Sequence, residues 1–218
     1  SKPAGRVRYG YKKYLKLKRA QDVIEALAWA SVLAVTVMFL VDGGLKSVTD
    51  LPSGLNAVSR LTALVGTDLL LIHMLLIARI PWIDKFYGHD RATQAHKKLG
   101  KPVLYLVIAH FSASVISFSI SAGVNPIEEL VSLFINVPDM WSAIIGAFLM
   151  IAVVVTSLTF ARRRMSYEAW YIVHIASYIA VLAAVPHQFS SGSDIHGKPV
   201  QTIFWVSLYF FVLFTLVW

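Results

Sequence analysis

Long apolar runs, each closed by a short polar or charged stretch, recur along the whole chain. Runs of helix length fall at 22–43, 59–81, 94–121, 141–161, 167–187 and 200–218. About twenty residues rising 1.5 Å each cross the ~30 Å hydrocarbon layer of a bilayer. The pattern therefore predicts an all-α membrane protein, a six-helix transmembrane bundle over 22–218, preceded by a basic segment over 1–21. Within that segment, residues 6–19 mix lysine and arginine with Tyr9, Tyr11, Tyr14, Leu15 and Leu17. Two readings fit it: an interfacial helix on an anionic leaflet, or a basic tail that only enforces topology. Between spans three and four, Asn125 as N-cap, Pro126 at the first helical position and Glu128 and Glu129 in the first turn predict a helix start. Leu130, Val131, Leu133 and Phe134 would lay this helix over one end of the bundle.

Composition agrees with the pattern: 57% of the 218 residues are hydrophobic, 15% are charged, and mean hydropathy is +0.65. The basic start is too long for a signal peptide, and no small-residue cleavage signal follows the first apolar run. A net charge of +8 would suit nucleic acid, but the positive residues gather beside hydrophobic helix ends, so no nucleic-acid partner is expected. Of the 20 lysines and arginines, all but Lys46, Arg60 and Lys198 lie in the N-terminal segment, in the 79–101 connection or in Arg162–Arg164. By the positive-inside rule these regions and both chain ends are cytoplasmic. Asp42, Asp50, Glu128, Glu129, Asp139 and Asp194 mark the opposite face. Cysteine is absent, which excludes disulfides, thiolate-ligated haem and cysteine-ligated iron–sulfur clusters.

Candidate chemistry rests on four of the seven histidines. His96 and His110 lie on span three, and His174 and His187 on span five. Histidine inside a bilayer is costly unless it has a partner or a function. Fourteen residues leave His96 and His110 about 40° from one face and about 21 Å apart. Thirteen residues give His174 and His187 a similar rise but an offset of about 140°. Pro186 cannot donate to the carbonyl of Leu182, so an irregular last turn is expected to present His187. Spans three and five run in the same direction, which predicts two levels: His96 with His174, and His110 with His187. Each pair suits the two axial positions of a haem iron, a ligation that favours electron transfer over ligand binding. Zinc fits poorly, because two ligands per level do not complete a tetrahedron. Val103, Ala180 and Val181 between the ligands are small enough to leave room for macrocycles.

Haem propionates need cationic or hydrogen-bonding partners. Lys97, Lys98, Lys101 and Arg91 are the cytoplasmic candidates, with Arg60 and Gln188 outside. Lysines that merely mark the membrane edge explain the inner set equally well. Asp68 within span two must be paired, protonated or hydrated, and a proton relay is one of its readings. His73 has two readings, a core hydrogen bond or a contact with a haem edge or propionate, and His89 and His196 are assigned to loops. Packing histidines in a haem-free transporter or structural protein would be the bland alternative. Discontinuous spans or an internal repeat, the usual transporter cues, are not evident.

Ala78-Arg79-Ile80-Pro81-Trp82, Gly88-His89-Asp90-Arg91 and His96-Lys97-Lys98-Leu99-Gly100, followed by His110, resemble the ferric reductase-like transmembrane domain. That family includes NADPH oxidases, ferric reductases and bacterial flavocytochromes. Tyr167-Glu168-Ala169-Trp170 with His174 and His187 resembles its fifth span, so the likeness covers nearly all of 22–218. The resemblance implies two b-type haems and a membrane oxidoreductase, here a bacterial inner-membrane one. It also implies a cytoplasmic FAD- and NAD(P)H-binding reductase domain after Trp218, as a flavoprotein partner absent from this chain. Electrons would reach an outer acceptor, either a ferric chelate or molecular oxygen. In oxygen-reducing members an arginine at the outer start of span two and a histidine one turn beyond the outer ligand help form the oxygen pocket. Arg60 matches the first, and is the candidate catalytic residue; Ser114 stands in place of the second. A haem-bearing membrane subunit serving a separate extracytoplasmic protein is the other redox alternative.

Overall fold

The computed structural model describes residues 4–217, with side chains from residue 11 onward apart from residue 160; Trp218 lies outside the described residues. The helices are α1 (Ala4–Val41), α2 (Leu51–Ile77), α3 (Pro81–Phe86), α4 (His89–Ala122), α5 (Pro126–Asn136), α6 (Met140–Ser157), α7 (Thr159–Arg162), α8 (Tyr167–Ser190) and α9 (Pro199–Val217). Six of them, α1 from Tyr11, α2, α4, α6, α8 and α9, are long and apolar enough to cross a membrane. Their outward faces carry large apolar side chains such as Leu33, Trp29, Phe148, Ile179 and Phe210. Such a surface is at home only in lipid, where helices satisfy their own backbone groups. The protein is an all-α, multi-pass membrane bundle.

Helix ends depart from the hydropathy pattern where capping chemistry intervenes. α2 starts at Leu51, eight residues before the expected 59. Asp50 accepts from the backbone N–H of Ser53 at 2.9 Å while the Ser53 hydroxyl accepts from the N–H of Asp50 at 3.0 Å, closing a capping box. The Ser53 hydroxyl and N–H also hold the Asp50 carboxyl below the usual carboxylate range. The same helix stops at Ile77 rather than 81, because Arg79 adopts a positive φ of 52° and Pro81 begins α3. Span four likewise ends at Ser157 instead of 161, and α7 turns the chain back. The basic segment is not a separate element: α1 runs unbroken from Ala4 into the first span.

Two corrections concern the far loops. Asn125 caps α5 as expected, accepting from the N–H groups of Ile127 and Glu128 at 3.1 and 2.9 Å. Of the four residues expected to cover the bundle, however, Leu130 and Leu133 pack inward against Val115 and Ile144, whereas Val131 and Phe134 point outward. The second correction is the turn at His187. α8 continues as helix through Pro186 to Ser190, and the His187 carbonyl still accepts from Ser191 N–H at 2.9 Å. One missing N–H removes a single helix bond, and the bonds on either side keep the turn closed.

Helix α2 packs along α4, and α6 along α8. Small residues permit the close approach, as expected where lipid supplies no hydrophobic drive between helices. A Cβ at Gly146 would lie 2.7 Å from the carbonyl oxygen of Ala180, and one at Gly66 would lie 3.1 Å from the Cβ of Leu106. Between these two packed pairs, α4 and α8 scarcely touch backbone to backbone. A core of Phe39, Leu64, Leu71, Met74, Trp205 and Tyr209 joins α1, α2 and α9 beside that gap.

Candidate functional site

The gap between α4 and α8 is bridged by histidine rings at two levels. At the end bearing the basic loops, His96 faces His174 with ring centres 6.2 Å apart and planes at 66°. At the acidic end, His110 faces His187 at 6.5 Å and 27°. The angular offset expected along α8 is thus met with no break in the helix, and the two pairs differ in ring orientation.

Hydrogen bonds define which ring nitrogens are free. His96 Nδ1 lies 2.9 Å from the carbonyl oxygen of His73, and His110 Nδ1 lies 3.0 Å from that of Ser59. A carbonyl only accepts, so both rings carry their proton on Nδ1 and leave Nε2 as a bare lone pair. The repetition follows from helix geometry: α2 and α4 run antiparallel, and fourteen residues separate both the donors and the acceptors. Ser59 also places its hydroxyl 3.0 Å from His110 Nδ1 and 2.5 Å from the hydroxyl of Ser114. His174 Nδ1 lies 3.2 Å from the hydroxyl of Ser157. That hydroxyl donates to Val153 at 2.7 Å, so it accepts from both His174 and, at 3.3 Å, the Trp170 indole. His174 also stacks on Trp170 at 4.8 Å, and Arg162 lies over the indole at 4.9 Å. His187 differs: its buried Nδ1 has no hydrogen-bond partner.

A cavity of about 790 Å³ occupies the acidic half of the gap, within the range of cofactor sites. Both His110 and His187 line it, with Ala63, Gly66, Ala147 and Ala184 among the small residues that keep it open. Arg60 and Gln188 line it too, but each is already engaged. Arg60 forms a two-pronged ion pair with Asp194 at 2.6 and 2.5 Å and lies over the Phe39 ring. Gln188 accepts from the Tyr209 hydroxyl at 2.7 Å and donates to Thr67 at 3.4 Å. Lys198 joins the same network, 3.4 Å from Asp42 and 3.9 Å from Asp194. Asp42 and Asp194, both expected on the outer face, are therefore structural partners in this network.

At the basic end, Lys97, Lys98 and Lys101 are exposed on α4. Arg91 is not beside the histidines; it pairs with Glu25 at 2.9 Å and with Gln21, tying α1 to the start of α4. Tyr87 donates to the same carboxylate at 3.0 Å, and burial followed by this bond pushes its phenol up. His89, expected in a loop, instead opens α4 and lies 3.5 Å from Asp84, whereas His196 lies in the connection after α8 with Nδ1 3.0 Å from the Phe189 carbonyl. Asp68 is fully buried; Ser31 on α1 donates to one carboxyl oxygen at 2.5 Å, and the other has no partner. Thr62, Thr67 and His73, its neighbours in sequence, do not pair with it.

Sequence reasoning missed Ser59, Ser157 and the involvement of His73. The ring of His73 stacks on His96 at 3.6 Å, and its Nδ1 is buried without a partner. Antiparallel register from the two α4 histidines onto α2 would have pointed to positions 59 and 73. No residue-type signal marks position 59, whereas position 73 is itself a histidine within a span. Among the described residues, no cluster of three or more histidine, cysteine, aspartate or glutamate side chains can hold a metal ion. Each level offers two facing imidazoles, and at the basic level the His73 ring lies behind that of His96.

The structure thus defines a helical membrane bundle with facing histidine pairs at two depths. The sequence matches the family described as ferric reductase like transmembrane component over residues 62–185, and the chain belongs to that family. The matched region holds His96, His110 and His174; Arg60 and His187 lie two residues beyond its two ends. No curated protein gives a significant match.

Proposed function

We propose that this chain is the membrane electron conduit of an oxidoreductase, holding two b-type haems between α4 and α8. His96 and His174 would hold the haem at the basic, cytoplasmic level, and His110 and His187 the one at the acidic, outer level. The observation that carries this reading is the spacing and tautomer of the facing rings. A metal–imidazole bond of about 2 Å, plus about 1.1 Å from nitrogen to ring centre, taken on both sides, separates two axial rings by about 6 Å. The two pairs stand at 6.2 and 6.5 Å. Acceptors at Nδ1 of His96, His110 and His174 leave Nε2 available, as metal-bound histidine requires. Bound haem supplies reversible one-electron chemistry at each level.

Electrons enter from a cytoplasmic FAD- and NAD(P)H-binding domain and leave to an acceptor at the outer face, a ferric chelate or molecular oxygen. Lys97 and Lys101, exposed on α4, would meet propionates at the basic level. At the outer level Arg60 lines the cavity with its guanidinium held by Asp194, so it contributes a fixed, partly neutralised cation. Ser114 directs its hydroxyl into the Ser59–His110 network. Loop arginines and both chain ends face the cytoplasm of a bacterial inner membrane on this reading.

Haem stoichiometry on the detergent-purified chain tests the proposal, by oxidised and dithionite-reduced spectra with a pyridine haemochrome assay. Two b-type, low-spin haems per chain are the expected result. One haem would break the two-level arrangement, and none after haem-supplemented expression would return the histidines to helix packing.

A further inference from the structure

The acidic-end cavity extends past the two facing rings to a mouth framed by the starts of α2 and α5 and by the turn after α8. Asn56 on α2, Phe118 on α4, Glu129 on α5 and Ser193 in that turn all line it. Asn56 stands three residues before Ser59, the partner of His110, which on a helix is about 4.5 Å nearer the acidic end. Glu129 sits in the first turn of α5, where the helix dipole favours negative charge. Both side chains are half-buried, and neither has a hydrogen-bond or ion-pair partner among the described residues. The charged residues of the lining are Arg60, Asp194 and Glu129. The first two neutralise each other in their two-pronged pair, so the mouth carries the single negative charge of Glu129. Glu128, the adjacent acid on α5, is exposed, accepts from the Asn125 side chain at 3.3 Å and does not line the cavity.

We propose, on the reading that electrons leave at the acidic end, that this mouth seats the external acceptor, that it takes a positively charged ferric complex in preference to an anionic chelate, and that Glu129 sets the preference. An unpaired carboxylate beside low-dielectric walls focuses its field into the cleft, which raises the local concentration of cations and lowers that of anions. Arg60 does not offset it, because Asp194 already holds the guanidinium. Asn56 adds an amide donor and acceptor for the polar groups of the bound complex. Each acceptor gains one electron, which the cytoplasmic reductase side replaces. No bond to the protein forms and no proton moves. Position singles out Glu129, since Glu128 brings the same charge to the same helix turn but not to the cavity.

The test uses the full-length protein, purified in detergent with its haems. Hexaamminecobalt(III), a trivalent cation that accepts electrons slowly, is titrated into the oxidised protein by calorimetry. Glu129→Gln should weaken its binding about tenfold at low salt, and Glu128→Gln less than about twofold. Protein reduced with limiting dithionite is then mixed with hexaammineruthenium(III) or with ferric EDTA, and reoxidation is followed by stopped flow. Glu129→Gln should slow the reaction with the ruthenium cation about tenfold and speed that with the anionic chelate. Salt on the order of 0.5 M should erase both changes. Equal effects in Glu128→Gln would overturn the inference, because the acidity of the whole face would then set the preference. Unchanged binding and rates in Glu129→Gln would overturn it too, as would a shift of both acceptors in the same direction. Unmodified protein whose reduced haems pass electrons to neither acceptor would instead overturn the conduit reading, and the acceptor site with it, before any variant is compared.

Discussion

The two histidine levels are built from the same helices but in different surroundings. At the basic end, His96 is backed by the His73 ring at 3.6 Å and His174 by Trp170 at 4.8 Å, so flat aromatic neighbours support both facing rings. At the acidic end the support is a hydroxyl pair on one side, and on the other a large cavity roofed by the turn that carries Asp194. The inner level is organised for rigidity. The acidic-end level combines a ring held by two acceptors, a ring beside Pro186 and open volume. The contrast shows that repeated ligand spacing along a helix does not imply repeated environments.

The largest expected effect separates the levels outright. His187→Ala should remove the outer haem and leave the inner one, halving haem per chain, while His174→Ala should do the reverse. Haemochrome assay combined with redox titration checks this; equal loss of both haems in both variants would break the two-level comparison. Next comes the roof of the outer cavity. Arg60→Ala should slow reduction of the outer acceptor more than it lowers haem content, as read by stopped-flow kinetics beside the haem assay. Asp194→Asn should cost about 2 kcal/mol of stability, since it strips a charge-assisted bond from a largely buried arginine. A thermal unfolding series in detergent measures that cost, and no change would mean that the ion pair is not holding the turn.

A smaller effect sharpens the difference in anchoring. The Ser59 hydroxyl accepts from His110 Nδ1–H, which makes Nε2 more electron-rich and favours ferric iron. Ser59→Ala leaves the backbone acceptor in place and removes only the hydroxyl. The outer potential should rise by on the order of 40 mV, the one-electron equivalent of roughly 1 kcal/mol for one hydrogen bond. Ser59→Thr should restore it, and the inner potential should stay fixed. Redox titration resolves both levels, and a shift confined to the inner haem would contradict the assigned pairing.

Six spans and the two histidine levels were legible in the sequence because hydropathy and helical rise act over many residues. Fourteen residues between His96 and His110 fix a depth whatever the neighbours do. The helix starts at 51 and 89 were less legible, since local capping by Asp50 and the α3 turn overrode the hydrophobic boundary. Expecting an irregular turn at His187 overvalued one proline against a whole packed helix. Partners were hardest to read. Asp194 lies 134 residues from Arg60, and Ser31 lies on a different helix from Asp68. Such contacts exist only after the helices have chosen neighbours, so no single-helix pattern foretells them. Ser59 is an intermediate case, because antiparallel register with His110 would have located it once α2 was paired with α4.

Ring orientation supplies the subtlest way to tell the levels apart. In low-spin ferric haem each imidazole donates through the π orbital perpendicular to its plane. When two ring planes are nearly parallel they act on the same iron d orbital and split the pair strongly. When the planes are nearly perpendicular they act on both orbitals alike and leave them close in energy. The outer rings stand at 27° and the inner rings at 66°. Electron paramagnetic resonance of the oxidised protein should therefore show a rhombic low-spin signal from the outer haem and a more axial one, with a larger maximum g value, from the inner. His187→Ala should erase the rhombic signal and His174→Ala the axial one. Two superimposable rhombic signals would mean that the levels share one ring geometry once loaded, and the difference between them would then lie only in hydrogen bonding.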